Sequence, residues 1–192
     1  MKNEELLIDL ENLSAGEKEE LTKLGLLTDQ KKLKEYEMPG LHIERPPIPK
    51  YAVNASEVLN EAFHYQKPSS FSRGLKFEIA GYKVLLISGT ASVNTDGKCE
   101  HPGDFRAQTW RTYRNISNLL KEEDMSWHDV MRTTCYLRDM ERDYAEFNKI
   151  RTSFYRWLEL DPLPASTGLQ AILCWSSLLV EIEAWAICKT NT

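Results

Sequence analysis

Two carboxylates, Glu181 and Glu183, stand two residues apart in the run Leu178–Ile187, which is apolar everywhere else. Residues two apart on a strand share a face, so both side chains point the same way. A carboxylate among apolar neighbours is costly in its charged form unless it is paired. Burial raises its pKa and suits it to give and take a proton near neutral pH. Glu181 is therefore the candidate general acid or base. The structural alternative is an ion pair with an arginine of a neighbouring subunit. Glu183, nearer the far half of the strand, reads as structural. An acid of this kind needs an anion anchor, and Arg73 on the first predicted strand is the candidate. Arg114 on a helix and Arg138 at a strand end are secondary candidates, with surface charge or interface pairing as the alternative. Asn148 offers an amide to a substrate oxygen. Thr167-Gly168 interrupts the entry to a strand, where glycine lets backbone approach a ligand closely. Cys174 is a candidate for lining the site. No adjacent His or Lys lowers its pKa, so it is not read as a nucleophile. His101, before Pro102 in a loop, is given no catalytic role.

The elements that must position these groups follow from periodicity. Residues 73–79 and 83–92 read as strands. Asp104 is a good N-cap. It opens a helix with Phe105, Thr109, Thr112, Ile116, Leu119 and Leu120 at helical spacing. Residues 129–138 form a strand, and a second helix over about 143–159 places Tyr144, Phe147, Ile150, Phe154 and Leu158 on one face. Strands over about 168–175 and 178–188, joined by a tight turn at Ser176-Ser177, close the domain. The order β-β-α-β-α-β-β is an α+β domain. Each helix has a single apolar stripe, so both cover one face of the sheet. In the last strand Val180, Ile182, Ala184 and Ala186 face the helices, while Leu179, Glu181, Glu183, Trp185 and Ile187 face away. That second face would leave a large apolar patch in water. An oligomer that packs these faces together is expected, and polar groups caught at its interface become site candidates.

Upstream, residues 1–40 read as a helical N-terminal extension. Ser14-Ala15-Gly16-Glu17 forms a capping box and Met38-Pro39-Gly40 breaks the pattern. Residues 41–68 read as a linker, from Arg45-Pro46-Pro47-Ile48-Pro49, with a short helix around Ser56–Phe63. Residues 69–192 are the folded domain.

Composition excludes several function classes. There are 24 Lys+Arg against 29 Asp+Glu, a net charge of −5. A partner with a phosphate backbone calls for a basic surplus, so no nucleic acid is expected. No apolar run reaches the ~18 residues of a membrane helix. The first residues are acidic where a signal peptide is basic and then apolar. The expectation is a cytoplasmic protein with no membrane partner. Cys99, Cys135, Cys174 and Cys188 form no C-x-x-C pair and have no His at ligand spacing, so free thiols and no metal are expected. The chain has no P-loop, no G-x-G-x-x-G and no Ser-His-Asp order, so no cofactor is implied.

Several short motifs, each weak alone, fall in one order. They are Ile87-Ser88-Gly89, Asp104–Gln108, Asn115-Ile116, Phe147-Asn148-x-Ile150, Pro164-Ala165 and Val180-Glu181-Ile182-Glu183-Ala184. Over roughly 120 residues they resemble the Rid (YjgF/RidA) superfamily. The resemblance implies a homotrimer with clefts between subunits and a small anionic substrate. Glu181, Asn148 and Gly89 match positions lining the cleft. Rid deaminases, which hydrolyse enamines and imines such as 2-aminoacrylate, use an arginine directly after Pro-Ala to grip the substrate carboxylate. Here that residue is Ser166. The tyrosine usual near the first strand is replaced by Phe71. Further motifs resemble the C-terminal domain of chorismatases: Ser70-Phe71-Ser72-Arg73-Gly74, His101-Pro102-Gly103-Asp104, Arg114-Asn115-Ile116 and Tyr136-Leu137-Arg138-Asp139. So does the spacing of Cys174 and Glu181. The combined expectation is a hydrolase or lyase acting by acid–base chemistry on a chorismate-like or enamine-like anion. Glu181 is its acid, and Arg73, Phe71, Gly89, Asn148, Thr167, Gly168, Cys174, Arg114 and Arg138 are around the substrate. An imine/enamine deaminase with an altered carboxylate anchor is the second reading. A catalytically inactive ligand-binding or scaffold trimer is the third.

Overall fold

The computed structural model describes residues 15, 22, 47–56, 59–65 and 68–190. The chain divides into two units, Met1–Pro47 and Ile48–Thr192. In the first, Ala15 and Thr22 are helical and exposed. The capping box at Ser14 and the break at Met38-Pro39-Gly40 lie outside the described residues.

The second unit is a six-stranded mixed sheet with two helices. Its elements are β1 (Lys50–Ala52), β2 (Gly74–Ile79), β3 (Tyr82–Ala91), α1 (Phe105–Lys121), β4 (Val130–Leu137), α2 (Met140–Trp157), β5 (Ala165–Gln170) and β6 (Val180–Lys189). The strand order is β1-β2-β3-β6-β4-β5. All neighbours are antiparallel except β4 and β5, which are parallel. The two-residue turn Ala80-Gly81 joins β2 to β3 with φ of 50° and 79°. Positive φ at both positions matches the twist of a tight hairpin.

Each helix starts where a carboxylate can cap it. The Asp104 side chain accepts from the Ala107 amide, and the Asp139 side chain accepts from the Arg142 amide. The second helix therefore begins three residues earlier than its apolar stripe suggests. Both helices pack on one face of the sheet. There Val180, Ile182, Ala184 and Ala186 are fully buried, as the alternation in β6 predicts. Tyr113 of α1 stacks on Phe154 of α2 at 4.6 Å between ring centroids, and Trp127 meets Phe154 edge-on at 5.2 Å. The opposite face carries exposed Ile79, Tyr82, Leu169 and Trp185.

Two expectations need correction. The segment read as linker and short helix holds β1, a bridge between Ala55 and Leu59, and one 3₁₀ turn at Ala62–His64. Val53, Ala55, Leu59 and Ala62 are buried, so this stretch supplies part of the core instead of spanning to it. The last two strands do not form a hairpin, because β4 lies between them. β5 covers 165–170, not 168–175, and the apolar residues that follow cross the end of β4 to reach β6. The turn at Ser176-Ser177 is present, with the Leu178 amide donating to the Trp175 carbonyl at 3.1 Å. It lies inside this crossing and not between paired strands.

Candidate active site

Strands β3 and β6 are paired with a register shift between Ile87 and Thr90. Gly89 lies in that irregularity. A Cβ built on Gly89 would overlap Oε1 of Glu181, so the absence of a side chain is what makes room for the carboxyl group. Glu181 reaches a cavity of about 90 Å³ lined by Phe71, Arg73, Gly89, Cys174 and Tyr65, among others. Five of the residues singled out from the sequence thus meet around one space.

Arg73 is almost wholly buried there, 6% exposed. Its Nε donates to the Asn60 carbonyl at 3.2 Å and its Nη2 to the Tyr65 hydroxyl at 2.6 Å. The guanidinium also sits 5.0 Å from the Tyr65 ring centroid and 5.1 Å from that of Phe71. These contacts fix its orientation, and among the described residues no acceptor meets Nη1. Burial pushes the Glu181 carboxyl above its ordinary value; the Arg73 charge opposes the rise and Glu183 adds to it. The two groups therefore feel each other across the cavity without forming an ion pair.

Cys174 and Trp175 reach the cavity from the β5–β6 crossing. Two side chains hold that crossing. Arg138 donates to the carbonyls of Leu178 and Trp175 at 2.6 Å each, and of Leu173 at 3.3 Å. Gln108, fully buried on α1, donates to the Ser177 carbonyl at 2.9 Å and accepts from the Leu179 amide at 2.8 Å. Arg138 does not line the cavity: its donors are committed to backbone, and its role is to position. Arg114 does not line it either. It is exposed on α1, beside an aromatic groove of Trp110, Tyr113, Phe154 and Trp157. His101 contributes only its carbonyl, which accepts from Gln108 at 3.0 Å.

Asn148, Thr167 and Gly168 lie elsewhere, at β5. Ser166 faces the helix layer beside Thr133 of β4, and Thr167 faces the opposite side beside Thr134. Arg151 of α2 donates to Ser166 Oγ at 3.1 Å and to Asn148 Oδ1 at 2.5 Å. Arg132 donates to Thr167 Oγ1 at 2.9 Å. A second cavity of about 580 Å³, lined by Arg151, Tyr155, Ser166 and Leu163 among others, opens between α2 and the start of β5. Sequence reasoning missed Tyr65 because it falls in the stretch read as linker. It missed Arg151 because one arginine on an amphipathic helix carries no signal of its own. Among the described residues, no three His, Cys, Asp or Glu side chains are grouped as a metal ion would need. No described helix is long and apolar enough to cross a membrane.

A two-helix layer on a mixed sheet, with a half-buried carboxyl at the β3–β6 irregularity, defines a Rid/YjgF-type domain. The chain belongs to the Endoribonuclease L-PSP family, whose model matches residues 55–188. It is 31% identical over 102 residues to a RutC family protein of Pyrococcus abyssi, covering 53% of this chain and 76% of that protein. It is 26% identical over 105 residues to the 2-iminobutanoate/2-iminopropanoate deaminase of Mus musculus, covering 55% of this chain and 74% of the relative. The crystal structure of the YjgF gene product from E. coli superposes with a TM-score of 0.58 at 20% identity, over 72% of this chain and 99% of that one.

Proposed function

We propose that the domain adds water across a small imine or enamine acid, with Glu181 as the proton donor and acceptor. The carrying observation is the Glu181 carboxyl, made easier to protonate by burial, facing the fixed Arg73 guanidinium across a cavity kept open by Gly89. For a 2-aminoacrylate-type substrate, the Glu181 acid delivers its proton to the terminal methylene and the nitrogen becomes an iminium. Water then adds to the iminium carbon, giving up a proton to the Glu181 carboxylate. The carbinolamine collapses to pyruvate and ammonia, so one water is consumed and no oxidant is required. The similarity to a 2-iminobutanoate/2-iminopropanoate deaminase favours this substrate over a chorismate-like one. The net charge of −5 supports a small anion held by a few placed cations over an RNA partner, whatever the family's name.

The reading includes a second copy of the chain. The helix-free face exposes Ile79, Tyr82, Leu169 and Trp185, an apolar surface that a neighbouring subunit would cover. The Glu181 cavity and the β5 edge lie apart within one protomer. A homotrimer in which the cavity of one copy meets the β5 edge of the next would join them.

The test is pyruvate formation from 2-aminoacrylate generated in situ, with chorismate assayed alongside, for wild type and Glu181→Gln. The expected result is turnover of the enamine that drops about 10²- to 10⁴-fold in the variant, the span of a general acid–base contribution. Turnover unaffected by the substitution would remove Glu181 from the chemistry, and turnover of chorismate alone would reverse the substrate choice.

A further inference from the structure

We infer that Arg151 grips the substrate's carboxylate at the β5 edge, as a small-monocarboxylate anchor delivered from helix α2. The inference rests on the proposed function, in which this edge completes the Glu181 cavity of another copy. β5 pairs only with β4, so its outer edge is open. Two guanidiniums flank it, Arg151 on the helix side and Arg132 on the other, and each is held by a β5 hydroxyl instead of a carboxylate. Arg106 and Arg142, by contrast, pair with Glu146 at 3.0 Å and with Asp143 at 2.6 Å. Among the described residues, neither Arg151 nor Arg132 forms an ion pair. Arg151 is also oriented in advance. Asn148 and Ser166 each take one of its donors, and its guanidinium lies 5.3 Å from the Phe147 ring centroid. A guanidinium has five N–H donors, more than these partners use, which leaves donors for a carboxylate.

The space beside it fits such a ligand. Arg151 and Ser166 line the 580 Å³ cavity together with Tyr155. Glu159 and Asp161 line the same cavity, which disfavours a polyanion and suits a single negative charge. Ser166 cannot provide a guanidinium, but its hydroxyl accepts one from fifteen residues upstream and holds it at the same edge.

Calorimetric titration of the full-length protein with pyruvate tests this without turnover. Wild type is expected to bind saturably. Arg151→Met is expected to lose about 10- to 100-fold in affinity, the weight of a charge-assisted hydrogen-bond pair. Arg151→Lys keeps the charge but not the fork and should recover only part of the loss. Arg114→Ala, which removes an exposed cation outside both cavities, should leave the affinity unchanged. Equal affinity of wild type and Arg151→Met overturns the inference, as does the absence of saturable binding by wild type. Should Arg151→Met fail to fold, Arg151→Lys decides alone, and wild-type affinity in that variant overturns the anchor. Because binding is read apart from catalysis, a failed anchor and a failed Glu181 assignment give different results.

Discussion

The cavity around Glu181 and the edge around Ser166 achieve polarity by opposite means. Around Glu181 the arginine is buried and the carboxyl half-buried. Arg73 is fixed by Asn60, Tyr65 and two rings, and the carboxyl is destabilised in its charged form by its surroundings. Around Ser166 the strand is an open edge, mostly exposed, and the guanidiniums lean on hydroxyls with donors to spare. The first region resembles a site for proton transfer, where low solvent access tunes the pKa. The second resembles a site for holding charge, where an arginine fork gives orientation without changing its own protonation. In the proposed reading the tuned acid and the cation that meets incoming ligand are parts of one site carried in two places on the protomer.

The sharpest way to break the contrast is Gly89→Ala. The added methyl would overlap Glu181 Oε1. The obstruction is the far end of a flexible side chain, so the carboxyl can swing aside at modest cost in stability. Activity should fall about as far as in Glu181→Gln, by ~10²–10⁴-fold, while the melting temperature stays close to that of wild type. A fully active Gly89→Ala protein would show that the carboxyl position at this irregularity does not matter.

A smaller effect is expected from Arg138→Ala. This residue holds three carbonyls of the β5–β6 crossing, which walls the Glu181 cavity but not the β5 edge. Removing it strands those acceptors and should cost about 1–3 kcal/mol. Hydrogen exchange should quicken across 171–179, and pyruvate affinity at the β5 edge should be little changed. Loss of affinity equal to that of Arg151→Met would mean that the two regions are one mechanical unit.

Much of the cavity was legible in the sequence because burial leaves a pattern. A carboxylate in an apolar alternating strand, a glycine in an apolar run and an arginine at a strand start can be read without coordinates. Glu181, Gly89 and Arg73 do meet, along with Phe71 and Cys174. The order of strands and helices was legible for the same reason. What was not legible depends on topology. The alternation in 168–175 is that of a strand, yet the chain must cross β4 there, and no local preference records this. Val53, Leu59 and Tyr65 belong to the core and the cavity although Pro-rich sequence precedes them. Arg114 and Arg138 looked equivalent as cations on regular elements. Only packing sends one to solvent and the other to backbone carbonyls. Arg151 gives no sign of itself until Ser166 is seen beside it.

The smallest effect expected concerns pH, and it isolates the tuned acid from the edge that holds charge. Glu181 releases its proton at a higher pH in the folded protein than its ordinary value of 4.5, chiefly through burial. In the interval above that value the folded state keeps a proton that the unfolded state has lost. Stability must then fall as pH rises through the interval and level off once the folded carboxyl is ionised. Glu181→Gln removes this dependence. At about pH 4 wild type and variant should differ little from this source, and toward pH 7 the variant should become the more stable of the two in urea titrations. Partial solvent access keeps the difference small. Arg151→Met, at an edge with no tuned carboxyl, should leave the slope of stability against pH as it is in wild type. Parallel pH curves for wild type and Glu181→Gln would mean that the carboxyl is hydrated like any surface glutamate, and the contrast between the two regions would then rest on geometry alone.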